Sequence, residues 1–249
     1  NKILVIYQQY YRDVFYLQIE REEAEDRLRL RLLDFFGNAD KSIELSDIEQ
    51  KQAVEYFEKK GFHFLGGRTS GYYGPYIWRT TEIKTYEVEL PDGIQKYAVK
   101  LLDGFIAKSW TDYLSFGEIG TGGWTDQDGM INCIKSAYDF NSEEFRVSLL
   151  KHEAQHARDL LRNKDMPLEE LEYRAKLVEL IYTEKRNLFR QFLREADGSD
   201  LQNGHSSAAA KILAGYVGKL NLSREELENH ANREVQAVAK ELFEEAAVF

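Results

Sequence analysis

The chain has 249 residues, 43% hydrophobic and 31% charged, with a formal net charge of -10. That balance is ordinary for a protein with a buried core, and its sign argues against a nucleic-acid backbone or an anionic membrane as the main partner. No apolar run approaches the roughly 20 residues of a membrane span, and the single cysteine, Cys133, excludes an internal disulfide framework or a thiolate-rich metal site.

The first residue is Asn1, not methionine. Removal of an upstream segment is therefore expected, with a signal peptide or an anchor among the candidates, and either would favour an extracytoplasmic location. Residues 1–61 read as an N-terminal helical segment. The stretch YYRDVFYLQIEREEAEDRLRLRLLDFFG carries no breaker before Gly37, and Ser46 with Glu49 predicts a capping box opening a second helix that stops at Gly61.

Residues 62–136 read as a sheet. GGRTSGYYGPYIW is rich in tyrosine and in glycine turns, which suits aromatic packing better than a lid. In IKTYEVEL-PDG-IQKYAVKLL, Tyr86, Val88 and Leu90 alternate and Asp92-Gly93 supplies a hairpin turn. DGMINCI reads as a further strand, entered from Asp128-Gly129.

From residue 141 the pattern is helical again. One helix is expected over about Ser142 to Asn163, with Arg158 and Arg162 suiting its C-terminal dipole. A second is expected from Pro167 to about Ala196 and a third over about 206–220. The last opens on a capping box, Ser223 with Glu226, and puts Leu227, Ala231, Val235, Val238 and Leu242 on one face. Helices, then sheet, then helices is an α+β order. It divides the chain into 1–61 and a domain over 62–249, with the sheet at 62–136 and helices at 141–249.

Within LLKHEAQHARDLL, His152 and His156 are four residues apart, so one helix face presents both imidazoles. Glu153 stands beside the first. Two neutral nitrogen ligands and a carboxylate base are what a zinc hydrolase requires. Phe145, Leu149, His152, His156 and Leu160 share a predicted stripe.

A third ligand is needed. Cys133, Glu169, Glu170, Glu172 and Glu179 are the candidates. If NKDMP turns an antiparallel helical hairpin, His156 lies about 10 Å before the turn and Glu172 about 9 Å after it. Glu179, about 20 Å after it, overshoots. Glu172 also shares a stripe with Leu168, Ala175 and Tyr182.

HEAQH followed by EYRAK resembles the gluzincin metallopeptidases, in which a glutamate on the next helix completes the site. The second segment is similar to the E-Y-x-A-D pattern of the membrane zinc endopeptidases related to the prenyl-protein proteases. The resemblance covers about 25 residues. It implies a zincin-like fold, a small, mostly antiparallel sheet on an active-site helix. It also implies Zn2+ held by His152, His156 and Glu172, and Ala175 as the small residue that lets the helices approach. Lys176 replaces the aspartate that orients a histidine ligand in those families, leaving Asp159 or Glu179 for that role.

The resemblance further implies that GTGGWTDQDGMINCI is the substrate-binding sheet edge, with Trp124 lining a subsite. A buried tryptophan before a core strand is the other account of that stretch. His205, opening a later helix, is a candidate second donor to the developing oxyanion; Tyr173 and Tyr182 are its rivals. His63 and His230 read as structural. The expected function is hydrolysis of a peptide or protein substrate by a single-site zinc metallopeptidase with Glu153 as base. Hydrolysis of a non-peptide substrate, or an inactive zincin-fold interaction protein, are the alternatives.

Overall fold

The computed structural model describes residues 2–125, 130–196, 204–229 and 232–246. It is a mixed α+β protein, and no helix among the described residues is long and apolar enough to cross a membrane. Contacts separate two compact units at places other than residue 61. One comprises Asn1–Glu82, Lys100–Trp124 and Asn132–Lys135; the other comprises Ile83–Val99, Thr125–Ile131 and Ser136–Phe249.

In the first unit, α1 (Lys2–Tyr11) continues as a π turn, Arg12–Tyr16, and then breaks before α2 (Arg21–Phe36). The expected uninterrupted helix is thus a helical hairpin, with Gln18 at φ 53 in the connection. The reason is burial: folding α1 back on α2 sets Ile3, Tyr7 and Tyr10 against Leu28 and Leu32, all in one core. Each such side chain contributes about 1.5–3 kcal/mol when removed from water. Asp13 pairs with Arg31 of α2 at 2.8 Å.

The next helical run is α3 (Leu45–Asp47), a π turn over Ile48–Ala53, and α4 (Val54–Glu58). Its start carries no side-chain cap, so the expected Ser46–Glu49 box is not formed. Glu49 is buried and accepts hydrogen bonds from the Tyr7 hydroxyl and from the Gly67 backbone N–H at 2.8 Å. A Cβ on Gly66 would come within 2.5 Å of the Glu49 carboxyl carbon, which explains a glycine there.

Strands β1 (His63–Leu65), β2 (Arg68–Thr69), β3 (Tyr72–Tyr73) and β4 (Tyr76–Trp78) follow. β2 and β3 pair through Ser70 and Gly71, both at positive φ, the geometry of a tight two-residue hairpin. The tyrosine-rich stretch is therefore packed structure, and His63 stacks on Trp78. The predicted long hairpin is β5 (Thr80–Leu90) and β6 (Gly93–Asp103), with Val88 and Leu90 buried. β7 (Ala107–Lys108) joins β1 and β4 in a three-stranded sheet and leads into α5 (Ser109–Leu114).

β8 (Gly123–Thr125) and β9 (Ile131–Ile134) complete a four-stranded sheet in the order β5-β6-β9-β8. This corrects the expected edge. β9 lies between two strands and is buried along its length, and within this stretch it is β8 that is at the edge. Trp124 packs against Tyr76 and Trp78, with centroids 4.8 and 6.3 Å away, because those rings match its apolar faces. The expected Asp128–Gly129 turn lies outside the described residues, as do His230 and Ala231.

The second unit is mostly helical. A π turn, Glu144–Leu149, runs into α6 (Leu150–Arg162), and Ser142 Oγ accepts from the Phe145 N–H at 3.2 Å. α7 (Leu168–Tyr182) and α8 (Arg186–Glu195) replace the single helix expected from 167 to 196. The break is fixed by Thr183, whose hydroxyl bonds Glu143 and accepts from the Lys185 N–H, and whose carbonyl accepts from Asn232 and Gln236. α9 (Gly204–Leu220) matches expectation. The Ser223–Glu226 capping box is present, but it opens only the short α10 (Arg224–Leu227), ahead of α11 (Asn232–Glu245). α7 is the hub: it packs on α6, α9 and α11, and Leu171 through Leu180 are all buried.

Candidate metal centre

α6 and α7 form an antiparallel hairpin turning at 163–167. From His152 to His156 along α6 the partner steps back from Glu179 to Glu172 along α7. His152 Nδ1 lies 2.7 Å from Glu179 Oε1, His156 Nε2 lies 3.4 Å from Glu172 Oε1, and Asp159 accepts from Arg174 Nε at 2.9 Å. His152 Nε2 is 2.9 Å from His156 Nε2 and 3.4 Å from Glu172 Oε2. One ligand atom from each of His152, His156 and Glu172 lies within 4.8 Å of the others.

The stripe containing the histidines is shifted from the expected one. Gln155 and Asp159 are buried with His152, whereas Leu160 is exposed. The π turn ahead of α6 inserts a residue and rotates Phe145 and Leu149 relative to the histidines. Leu168 is also exposed; Glu172 is directed inward because α7 is buried on all sides over this stretch.

The β5–β6 hairpin lies along α6 inside this unit. Tyr86 meets Phe145 edge to face, the Glu89 carbonyl accepts from Lys151, and Asp92 receives Arg158 and Arg162. Three residues of strand rise about 10 Å, and six or seven of helix rise nearly the same, so the contacts keep step. Arg158 Nη2 also donates to the Asp92 carbonyl at 2.6 Å. Arg158 and Arg162, expected only as partners of the helix dipole, hold the hairpin; a partner some 70 residues away leaves no local mark in sequence.

Charge in the site is tightly coupled. Burial disfavours a cationic His152, but the Glu172 and Glu179 carboxylates outweigh it and raise its pKa to about 10. Burial likewise pushes Glu172 up, yet His152, His156 and His205 hold it far below the usual carboxylate range. If Nδ1–H of His152 is given to Glu179, its Nε2 presents a lone pair to His156 and to Glu172. His156 Nδ1 is buried without a hydrogen bond. Two imidazole nitrogens and a carboxylate facing one another repel unless a proton or cation lies between them. This N2O donor set suits zinc.

The structure brings Glu172 to both histidines and leaves Glu169 exposed and Glu170 on Lys211. Glu179 does not overshoot; it is the group that orients His152. Asp159, its rival for that role, is taken by Arg174. Lys176 is buried, donating to Glu195 Oε2 at 3.0 Å and lying over the Phe192 ring. Cys133 is buried in β9 and belongs to the other unit, and burial raises its thiol to about 11.

His205 sits at the start of α9 with 62% of its side chain exposed. Its Nδ1 is 2.9 Å from Glu172 Oε2, and its ring is stacked on His152 at 6.2 Å. Glu153 and His205 both line the two clefts that meet at His152, of about 750 and 1030 Å3. Tyr173 is buried under Lys211, and Tyr182 is half-buried with Lys151 over its ring; neither lines these clefts. No family model, curated protein or solved structure matches the chain.

Proposed function

We propose that this protein is a zinc-dependent metallopeptidase of zincin-like type, with His152, His156 and Glu172 holding the metal. The observation that carries the proposal is the convergence of those three side chains in a buried site with Glu179 orienting His152. A bound zinc would polarise the scissile carbonyl and lower the pKa of an attacking water. Glu153, at the junction of both clefts, takes the proton from that water and delivers it to the leaving amine. His205, exposed at the same junction, donates to the oxygen that becomes negative. Glu179 keeps the His152 ring in one tautomer.

The test has two parts. Protein purified without chelator is expected to carry about one zinc per chain, which His156→Ala removes. With zinc content matched, Glu153→Gln is expected to lower cleavage of denatured casein by at least about 100-fold, the lower end of general-base effects. Absence of metal sinks the proposal. Hydrolysis of small esters or amides without any cleavage of casein replaces peptide by a non-peptide substrate.

A further inference from the structure

The two clefts extend along the α6–α7 hairpin in opposite directions from the candidate metal ligands. One is lined by Ser148 and Glu144 on the N-terminal side of His152, and by Lys176, Glu195, Leu188 and Phe192 from α7 and α8. The other runs toward the hairpin turn, with Ala157, Leu160, Leu161, Leu168 and Leu171 along its wall and Lys164 beside them. His152, Glu153 and His205 belong to both. Leu161 is 75% exposed and Leu168 59%, at a place where a surface helix ordinarily presents polar residues.

We infer that the site takes an internal segment of extended polypeptide, with a large apolar side chain on the hairpin-turn side of the scissile bond. This rests on the metallopeptidase reading and adds the substrate class. From Ser148 to Leu161 the helix rises about 20 Å, which matches about six residues of extended chain at 3.3 Å each. Room on both sides of Glu153 accommodates chain in both directions from the cut, whereas an enzyme that trims termini needs room on one side only. The leucine wall is continuous with the metal ligands, since His156 and Glu172 line the same cleft. An apolar side chain placed there covers leucine surface that otherwise faces water.

The experiment uses the zinc-loaded full chain and twelve-residue peptides blocked by N-acetylation and C-amidation, carrying Leu, Phe, Ala or Asp at a central position. Products are mapped by mass spectrometry. Internal cuts in the blocked peptides next to Leu or Phe are the expected result. Removal of single residues from unblocked peptides only, or cutting indifferent to the central residue, overturns the inference. Leu161→Lys is expected to lower kcat/KM about tenfold more for the Leu peptide than for the Ala peptide, within the range a pocket's apolar contacts discriminate. Equal losses for the two overturn it. If no peptide is cut, the metallopeptidase reading fails, and binding of the blocked Leu peptide to zinc-loaded Glu153→Gln protein then decides. Binding weakened by Leu161→Lys supports an apolar polypeptide site; no binding refutes it.

Discussion

Glu179 offers the sharpest test of how the centre is built, because its effect passes entirely through His152. The two side chains are almost fully buried and joined by one hydrogen bond of 2.7 Å. In Glu179→Gln the amide oxygen can still accept from Nδ1–H, so only the charge is lost. Hydrogen bonds to charged groups contribute about 1.5–3 kcal/mol and neutral ones about 0.5–1.5. The difference, about 1–1.5 kcal/mol, corresponds to roughly five- to tenfold weaker zinc binding. Glu179→Ala removes the bond and frees the ring to turn, so about 10- to 100-fold is expected. Glu172→Gln removes a direct ligand and should exceed both. Zinc affinity is read by competition with a chromophoric chelator, with far-UV circular dichroism confirming that each variant is folded. An unchanged dissociation constant in Glu179→Ala, or a larger loss in Glu179→Gln than in Glu172→Gln, would refute this assignment of roles.

Other outcomes follow from the same geometry. Asp159→Ala leaves Arg174 charged and buried without its partner, and should cost about 3–5 kcal/mol, whereas the double change Asp159→Leu with Arg174→Met should cost much less. Urea unfolding followed by circular dichroism checks both, since Trp78, Trp110 and Trp124 lie in the other unit and tryptophan fluorescence would miss the change. Glu49 supplies a pH dependence. Burial raises its carboxyl from 4.5 to about 7 despite hydrogen bonds from Tyr7 and Gly67. The unfolded chain therefore releases this proton first, so the stabilisation is complete below about pH 4.5 and declines as pH rises through 7. At 1.36 kcal/mol per pKa unit the decline is about 3 kcal/mol. Urea titrations by tryptophan fluorescence between pH 4.5 and 8 should show that fall, and Glu49→Gln should flatten it. Gly93→Ala places a Cβ 2.9 Å from Arg158 Nη2 at φ 131, and should destabilise the hairpin by more than about 1 kcal/mol.

Local signals carried much of this structure. The i, i+4 spacing of His152 and His156, the rise per residue on either side of NKDMP, and the Asp92-Gly93 turn were sufficient to bring Glu172 opposite His156 and to pair β5 with β6. What escaped was set by distant partners. Nothing near Gln18 or Thr183 resembles a helix breaker; the first break follows from α1 folding onto α2, and the second from side chains of α11 reaching the Thr183 carbonyl. Ser46 and Glu49 have capping-box spacing, but Tyr7, 42 residues earlier, takes the carboxylate. Trp124 has the sequence neighbours of a cleft residue and the spatial neighbours of a core residue.

The two long strands of the hairpin have a consequence for anyone wishing to isolate half of this protein. Thr80–Leu90 and Gly93–Asp103 each begin in one compact unit and end in the other, and the segment from Gly123 to Ile134 crosses the same division twice more. Neither unit is a contiguous stretch of sequence. No truncation at a single point isolates either unit, and a gene fragment spanning only residues 136–249 would carry the candidate metal ligands without the hairpin whose Tyr86, Glu89 and Asp92 hold their helix. Such a fragment is expected to yield partly folded helices, and any separation of the units has to proceed by rejoining segments in a new order rather than by cutting.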